Sequence, residues 1–121
     1  MGTYKIAIIK GDGIGVDVVN EGVKVLDAVA SQYGIAWDYT EFPWNSDYYL
    51  EHGVMMPATA LDTLADFNAV FLGAVGHPDI QDNITLDGLL LPIRRRFDQY
   101  ICLRPSVLYP GVESPLSGKM P

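Results

Sequence analysis

Four of the eight Lys and Arg residues lie between Arg94 and Arg104, in a chain whose net charge is −7. A guanidinium is planar and permanently charged, and its fork of donors matches a carboxylate bidentately. Arg94 falls in a helical stretch and Arg104 at the end of the apolar run after it. Two forks converging from separate elements could hold both ends of a dicarboxylate. Arg95 and Arg96 cannot both share the face of Arg94, because neighbouring helical residues diverge by about 100°. At least one of them should be solvated. A solvated, salt-bridged helix face accounts for the same cluster, and spacing alone leaves both readings open.

The second candidate is a glycine turn, Gly11-Asp12-Gly13-Ile14-Gly15, between an apolar run and a helical pattern. Bare amides at a helix start attract phosphate or carboxylate. The spacing is not the dinucleotide fingerprint, whose third glycine comes one residue later, where this chain has Val16. Asp38 or Glu41 does stand where such a site places its ribose ligand. The competing reading is a tight strand-to-helix turn that needs glycine for its backbone angles.

Other chemistry-bearing residues are weaker candidates. His52 precedes a glycine at a helix end, where a cation suits the dipole, and reads as structural. His77 lies in a Gly/Pro loop at the carboxyl end of a buried strand, the ligand side of open α/β sheets, and reads as a solvated loop residue. Cys102 has no histidine nearby and reads as a small core residue of a strand. Acidic residues are scattered, without metal-ligand spacing. The residues thus offer an anion site and no catalytic group.

Elements that could position these groups follow from the apolar periodicity. Residues 4–9 are a β-branched run of the kind buried in a parallel sheet. Val16, Val19, Val23, Leu26 and Ala30 recur at helical spacing, and Gly34 is placed to cap that helix. Residues 35–42 alternate as a strand does, so the chain opens as a βαβ unit. A short helix over 45–53 follows, then a second from Pro57 through Leu64 with proline at its first position. Residues 69–73 form another buried strand. Residues 87–97 are helical, with Pro92 belonging nearer the start than the middle. Residues 100–104 form a last strand before Pro105.

With 121 residues, 49% of them apolar, the chain is one domain's worth with enough material for a core. Its acidity argues against nucleic-acid binding, and a local cationic patch favours a small anion. No apolar run approaches the roughly 20 residues of a membrane span, and no signal peptide precedes the first strand. A single cysteine points to a reducing cytoplasm. The Pro/Gly/Ser-rich stretch 111–121 reads either as a connection to something further on or as a solvated tail.

Three stretches together resemble the β-decarboxylating dehydrogenases, the family of isocitrate, isopropylmalate, tartrate and D-malate dehydrogenases. They are Ile8-Ile9-Lys10-Gly11-Asp12-Gly13-Ile14-Gly15-Val16-Asp17-Val18, then Phe71-Leu72-Gly73-Ala74-Val75-Gly76, then the most specific, running from Gly88 to Pro105 through Arg94-Arg95-Arg96-Phe97-Asp98-Gln99-Tyr100. Order and spacing hold along the whole chain. Tyr48-Tyr49, His52-Gly53, Met55-Met56-Pro57 and Pro115-Leu116-Ser117-Gly118-Lys119 are most similar to the tartrate/D-malate branch. The resemblance implies a three-layer α/β/α fold of the isopropylmalate dehydrogenase kind, not a Rossmann fold. Residues 1–121 would be the N-terminal part of its first, cofactor-side domain. Arg94 and Arg104 match the family's substrate-carboxylate arginines. Leu90 belongs to the substrate-distinguishing segment 86–90, which lacks the Ser and Asn that hold a third carboxylate in isocitrate enzymes. Gly73, Ala74, Val75 and Gly76 match the loop beside the cofactor, and Ile14 a residue near its adenine side. The expected cofactors are NAD and Mg²⁺ or Mn²⁺. Proton-handling residues and metal ligands are expected beyond residue 121, since family members run to about three times this length, past one core's usual size. The expected protein is a cytoplasmic homodimer acting on a small dicarboxylate, with neither nucleic acid nor membrane as partner. Alone, the chain is expected to be inactive. A non-catalytic anion-binding or assembly domain is the alternative.

Overall fold

The computed structural model describes residues 2–115. Met1 and residues 116–121, which carry the end of the Pro/Gly/Ser-rich stretch and Leu116 through Lys119 of the resemblance, lie outside the described residues. A parallel sheet of order β2-β1-β3 forms the centre, from β1 (Thr3–Gly11), β2 (Ala36–Glu41) and β3 (Ala69–Ala74). The central strand β1 is apolar on both sides because both faces are covered. Ile6 and Ile8 pack with Val19 and Val23 of helix α1 (Ile14–Tyr33). Ala7 and Ile9 point the other way, into a cluster with Trp44, Met55, Ala60, Leu64, Leu89 and Ile93. That second layer comes from α2 (Ser46–His52), α3 (Ala60–Leu64), α4 (Asp82–Thr85), a π turn (Leu86–Leu90) and α5 (Leu91–Arg96). The expected three-layer α/β/α arrangement is therefore present, with the core divided between the two faces of the sheet.

Local rules explain most boundaries. Gly34 is left-handed at the end of α1, and the Asn45 side chain accepts the Tyr48 N–H at the start of α2. Trp37 Nε1 donates to Leu26 O at 2.9 Å and Tyr39 donates to Asp27 at 3.0 Å, which ties β2 to α1. Gly22 lets α1 approach β3, since a Cβ there would lie 2.5 Å from the Phe71 ring.

Three expectations need correction. The second short helix covers only Ala60–Leu64, because Pro57 opens a turn in which its carbonyl accepts the Ala60 N–H at 2.9 Å. The helical run near Pro92 begins at Asp82 rather than at residue 87, while Pro92 stands near the start of α5, as expected. The π turn makes the proline tolerable. Leu91 donates to Leu86 rather than to Asp87, and the widened turn relieves the clash a proline imposes on the carbonyl one turn back. Finally, residues 100–104 form no strand. They share no ladder with either sheet edge, and Tyr100 and Leu103 are 85% and 86% exposed. β-branched and aromatic composition makes a strand only when a partner edge is present.

Candidate functional site

A cleft of about 580 Å³ opens between the carboxyl half of β3 and the run from the π turn through α5. Gly73, Ala74 and Val75 line one side, and Leu86, Leu90 and Arg94 the other. Five of the residues singled out from the sequence, Gly73, Ala74, Val75, Leu90 and Arg94, thus share one cavity. Gly76 follows immediately and is exposed. Ile14 stands apart at the start of α1, 70% exposed and outside the cleft lining.

Arg94 is the inward member of the arginine run. It is half-buried, while Arg95 and Arg96 are exposed and face Asp87 at 3.9 Å and Asp62 at 3.4 Å. Spacing had required this divergence. The chain reverses just beyond α5, where Gln99 N donates to Arg94 O at 2.9 Å and Asp98 N to Arg95 O at 3.4 Å. These are the paired bonds of a Schellman motif, with Asp98 at φ 49° in the position glycine usually takes. The reversal brings residue 102 back to Arg94. A hydrogen bond from Arg104 pulls the Cys102 thiol below its ordinary range, and the charges of Arg104 and Arg94 act in the same direction. Arg104 itself is exposed and is not among the residues that line the cleft with Arg94. Cys102 itself is exposed rather than a core residue, because the strand expected to bury it does not form.

The glycine turn is committed to packing. A Cβ on Gly11 would overlap the Ala74 carbonyl, and one on Gly15 the Lys10 carbonyl and the Ala74 amide. Gly73 faces Lys10 O and Gly15 O just as closely. Backbone lies on backbone where β1, α1 and β3 meet, so the tight-turn reading prevails over a phosphate cradle at Gly11 and Gly15. Nor is Glu41 available as a ribose ligand, since it pairs with Lys10 at 2.9 Å. Asp38 is exposed on β2.

Asp12 was missed in the sequence. Its carboxylate accepts from Ser46 N at 2.7 Å, Ser46 Oγ at 2.6 Å and Gly76 N at 2.8 Å, while its own N–H donates to Ala74 O at 2.7 Å. The available signal was an acid between two turn glycines together with a downstream serine, and these lie too far apart in sequence to be paired by spacing. The histidines are used locally. His52 Nδ1 lies 3.0 Å from Tyr48 O and its ring stacks on Tyr48, and His77 Nδ1 accepts the Asp79 N–H at 3.2 Å. Among the described residues no group of three or more His, Cys, Asp or Glu side chains could hold a metal ion.

The family profile described as isocitrate/isopropylmalate dehydrogenase matches residues 5–120. This chain belongs to the isocitrate/isopropylmalate dehydrogenase family. Among its relatives, a protein of Agrobacterium vitis named probable tartrate dehydrogenase/decarboxylase is 53% identical over 117 residues, covering 96% of this chain and 33% of that protein. The D-malate dehydrogenase [decarboxylating] of Escherichia coli is 50% identical over 123 residues, covering 100% of this chain and 34% of the enzyme. A crystal structure of an apo β-decarboxylating dehydrogenase from Thermococcus kodakarensis superposes with a TM-score of 0.60 at 30% identity, over 80% of this chain and 27% of that one. The chain spans about a third of the length of the curated relatives it matches. Membership makes sense of the incomplete glycine fingerprint, because the turn serves sheet packing here. No helix among the described residues is long and apolar enough to cross a membrane.

Proposed function

We propose that these 121 residues act as the first third of an enzyme that oxidises and decarboxylates a D-malate- or tartrate-like 2-hydroxy dicarboxylic acid with NAD. The observation that carries the proposal is Arg94 facing Gly73, Ala74 and Val75 across one cleft of about 580 Å³. That volume lies within the usual range of small-ligand pockets. Relatives named for tartrate and D-malate support the substrate class.

In this reading Arg94 grips one substrate carboxylate through its fork, and Arg104 approaches from the returning segment to take the other. Leu86 and Leu90 give an apolar wall with no partner for a third carboxylate, which favours diacids over triacids. NAD, when bound, supplies the hydride acceptor. The chain's residues bind and orient the substrate against it, which lowers the barrier by positioning. The same reading includes Mg²⁺ or Mn²⁺, for which the described residues gather no donor set. An exposed free thiol at Cys102 suits a cytoplasmic enzyme, and the assembled form is proposed as a homodimer.

The test is a chimera in which this chain replaces the matching third of the E. coli D-malate dehydrogenase. NADH formation from D-malate or tartrate with Mn²⁺ is expected, and its loss on Arg94→Ala. A folded chimera that neither binds nor turns over any dicarboxylate would refute the proposal. The 121-residue chain alone is expected to form no NADH, and measurable turnover by it would contradict that division.

A further inference from the structure

We propose that Asp12 is a positioning residue that latches the 73–76 loop onto the glycine turn and so fixes one wall of the Arg94 cleft. Residue 12 grips this loop at two points. Its N–H donates to Ala74 O at 2.7 Å, and its Oδ2 accepts the Gly76 N–H at 2.8 Å. Val75, held between these bonds, lines the cleft with Ala74. The carboxylate is itself anchored from a third direction. Ser46, which is buried, donates its N–H to Oδ1 at 2.7 Å and its hydroxyl to Oδ2 at 2.6 Å.

The side-chain chemistry is specific. Two backbone N–H groups address the two different oxygens, one from Ser46 and one from Gly76. Only a carboxylate accepts on both sides. An asparagine of the same shape must aim its NH₂ group at one of those N–H donors, which leaves a donor facing a donor. Bonds to an ionised acceptor are also the stronger kind. Asp12 touches neither the cleft interior nor Arg94, so its effect on a ligand passes through the loop. The consequence for the nucleotide rests on the dehydrogenase reading above, since that reading sets the cofactor beside the 73–76 loop.

The test compares Asp12→Asn with Ser46→Ala in the full chain by amide hydrogen exchange. Asp12→Asn is expected to speed exchange at Gly76 about tenfold or more, the loss of a charge-assisted bond, with the Ile8 and Ile9 amides of β1 unchanged. Ser46→Ala leaves both backbone bonds to Asp12 in place and should leave Gly76 at the wild-type rate. Unchanged Gly76 exchange in both Asp12→Asn and Asp12→Ser overturns the latch, and so does an equal rise across β1, which marks a purely structural role. Asp12→Ser removes the carboxylate without aiming an amide at Gly76, and it carries the same test where Asp12→Asn does not fold. In the chimera, Asp12→Asn should raise the KM for NAD severalfold and leave the dicarboxylate KM unaltered. A parallel rise in both would refute the nucleotide consequence. An inactive wild-type chimera would count against the dehydrogenase reading alone, because the exchange experiment decides the latch without any turnover.

Discussion

Gly11 and Gly53 form a matched pair that separates two reasons for using glycine. Both sit at φ +74°, where an L side chain is strained. Nothing lies within 4 Å of a Cβ built on Gly53, whereas one built on Gly11 would fall inside the Ala74 carbonyl. Gly53→Ala should therefore cost only the left-handed penalty, about 1–2 kcal/mol. Gly11→Ala carries the same penalty together with a clash against backbone that is itself fixed. Gly11 pairs with Ala74 in the β1–β3 ladder, and Ala74 O accepts the Asp12 N–H. Overpacking adds about 1–3 kcal/mol and the strained hydrogen bond about 1 more. Gly11→Ala should thus lose about 3–6 kcal/mol, a large part of the 5–15 kcal/mol typical of a domain. Urea unfolding of both variants followed by circular dichroism measures the difference directly. Equal losses within about 0.5 kcal/mol, the usual scatter of surface substitutions, would refute the packing argument. If Gly11→Ala kept its stability and lost only ligand binding, the glycine would belong to an anion cradle after all.

Three further outcomes follow from single features. Asp98 holds a left-handed position at the end of α5, so Asp98→Gly should raise stability by about 0.5–1 kcal/mol, and a drop in urea midpoint would contradict this. Cys102 has a thiol pKa lowered by Arg104 and Arg94, so its alkylation by iodoacetamide should be half-maximal at a pH below that of an ordinary thiol. Arg104→Ala should move that midpoint up, and an unmoved midpoint would show that Arg104 does not act on the sulfur. Tyr39 is pushed up to about 12 by desolvation and by its hydrogen bond to Asp27. A raised folded pKa means that its contribution is present below the unfolded value near 10 and is lost as pH rises through about 12. Phenolate absorbance in Asp27→Asn, with Tyr39→Phe as the blank, should show a lower midpoint, and an unchanged midpoint would sink the Asp27 attribution.

How legible each part of the sequence was depended on whether its partners were local. β1, α1 and β2 could be read because burial on both faces gives continuous apolar runs, helical spacing gives Val19 and Val23, and Gly34 marks the stop. The π turn could not be read. In it Leu89 and Gly88 pack against Met55, where a Cβ on Gly88 would lie 2.6 Å from the Met55 side chain, and this contact links residues far apart in sequence. Residues 100–104 misled for the same reason, because strand composition says nothing about whether an edge is available. In the site, Arg94 was legible by type and run, and its orientation followed from helical divergence. Asp12 was not, because its three acceptor bonds reach residues 46 and 76.

The polar groups that line the cleft limit what this part of the family's fold can contribute. Among its described lining residues, Arg94 and Gln99 carry the only polar side chains. An arginine stays protonated under protein conditions, and a glutamine amide neither gains nor loses a proton near neutrality. The cleft wall can therefore attract, orient and select an anion, but it has no group suited to general acid or base work, which needs a pKa near the operating pH. In the proposed reading, binding and proton transfer are accordingly separable. Arg94→Ala should act on dicarboxylate affinity, and a proton-transfer defect would have to come from residues outside this cleft wall. The glycine packing supports that separation. It packs Gly11 and Gly15 against Ala74, so in the proposed reading recognition does not depend on ordering this strand end, and less binding energy is lost to entropy.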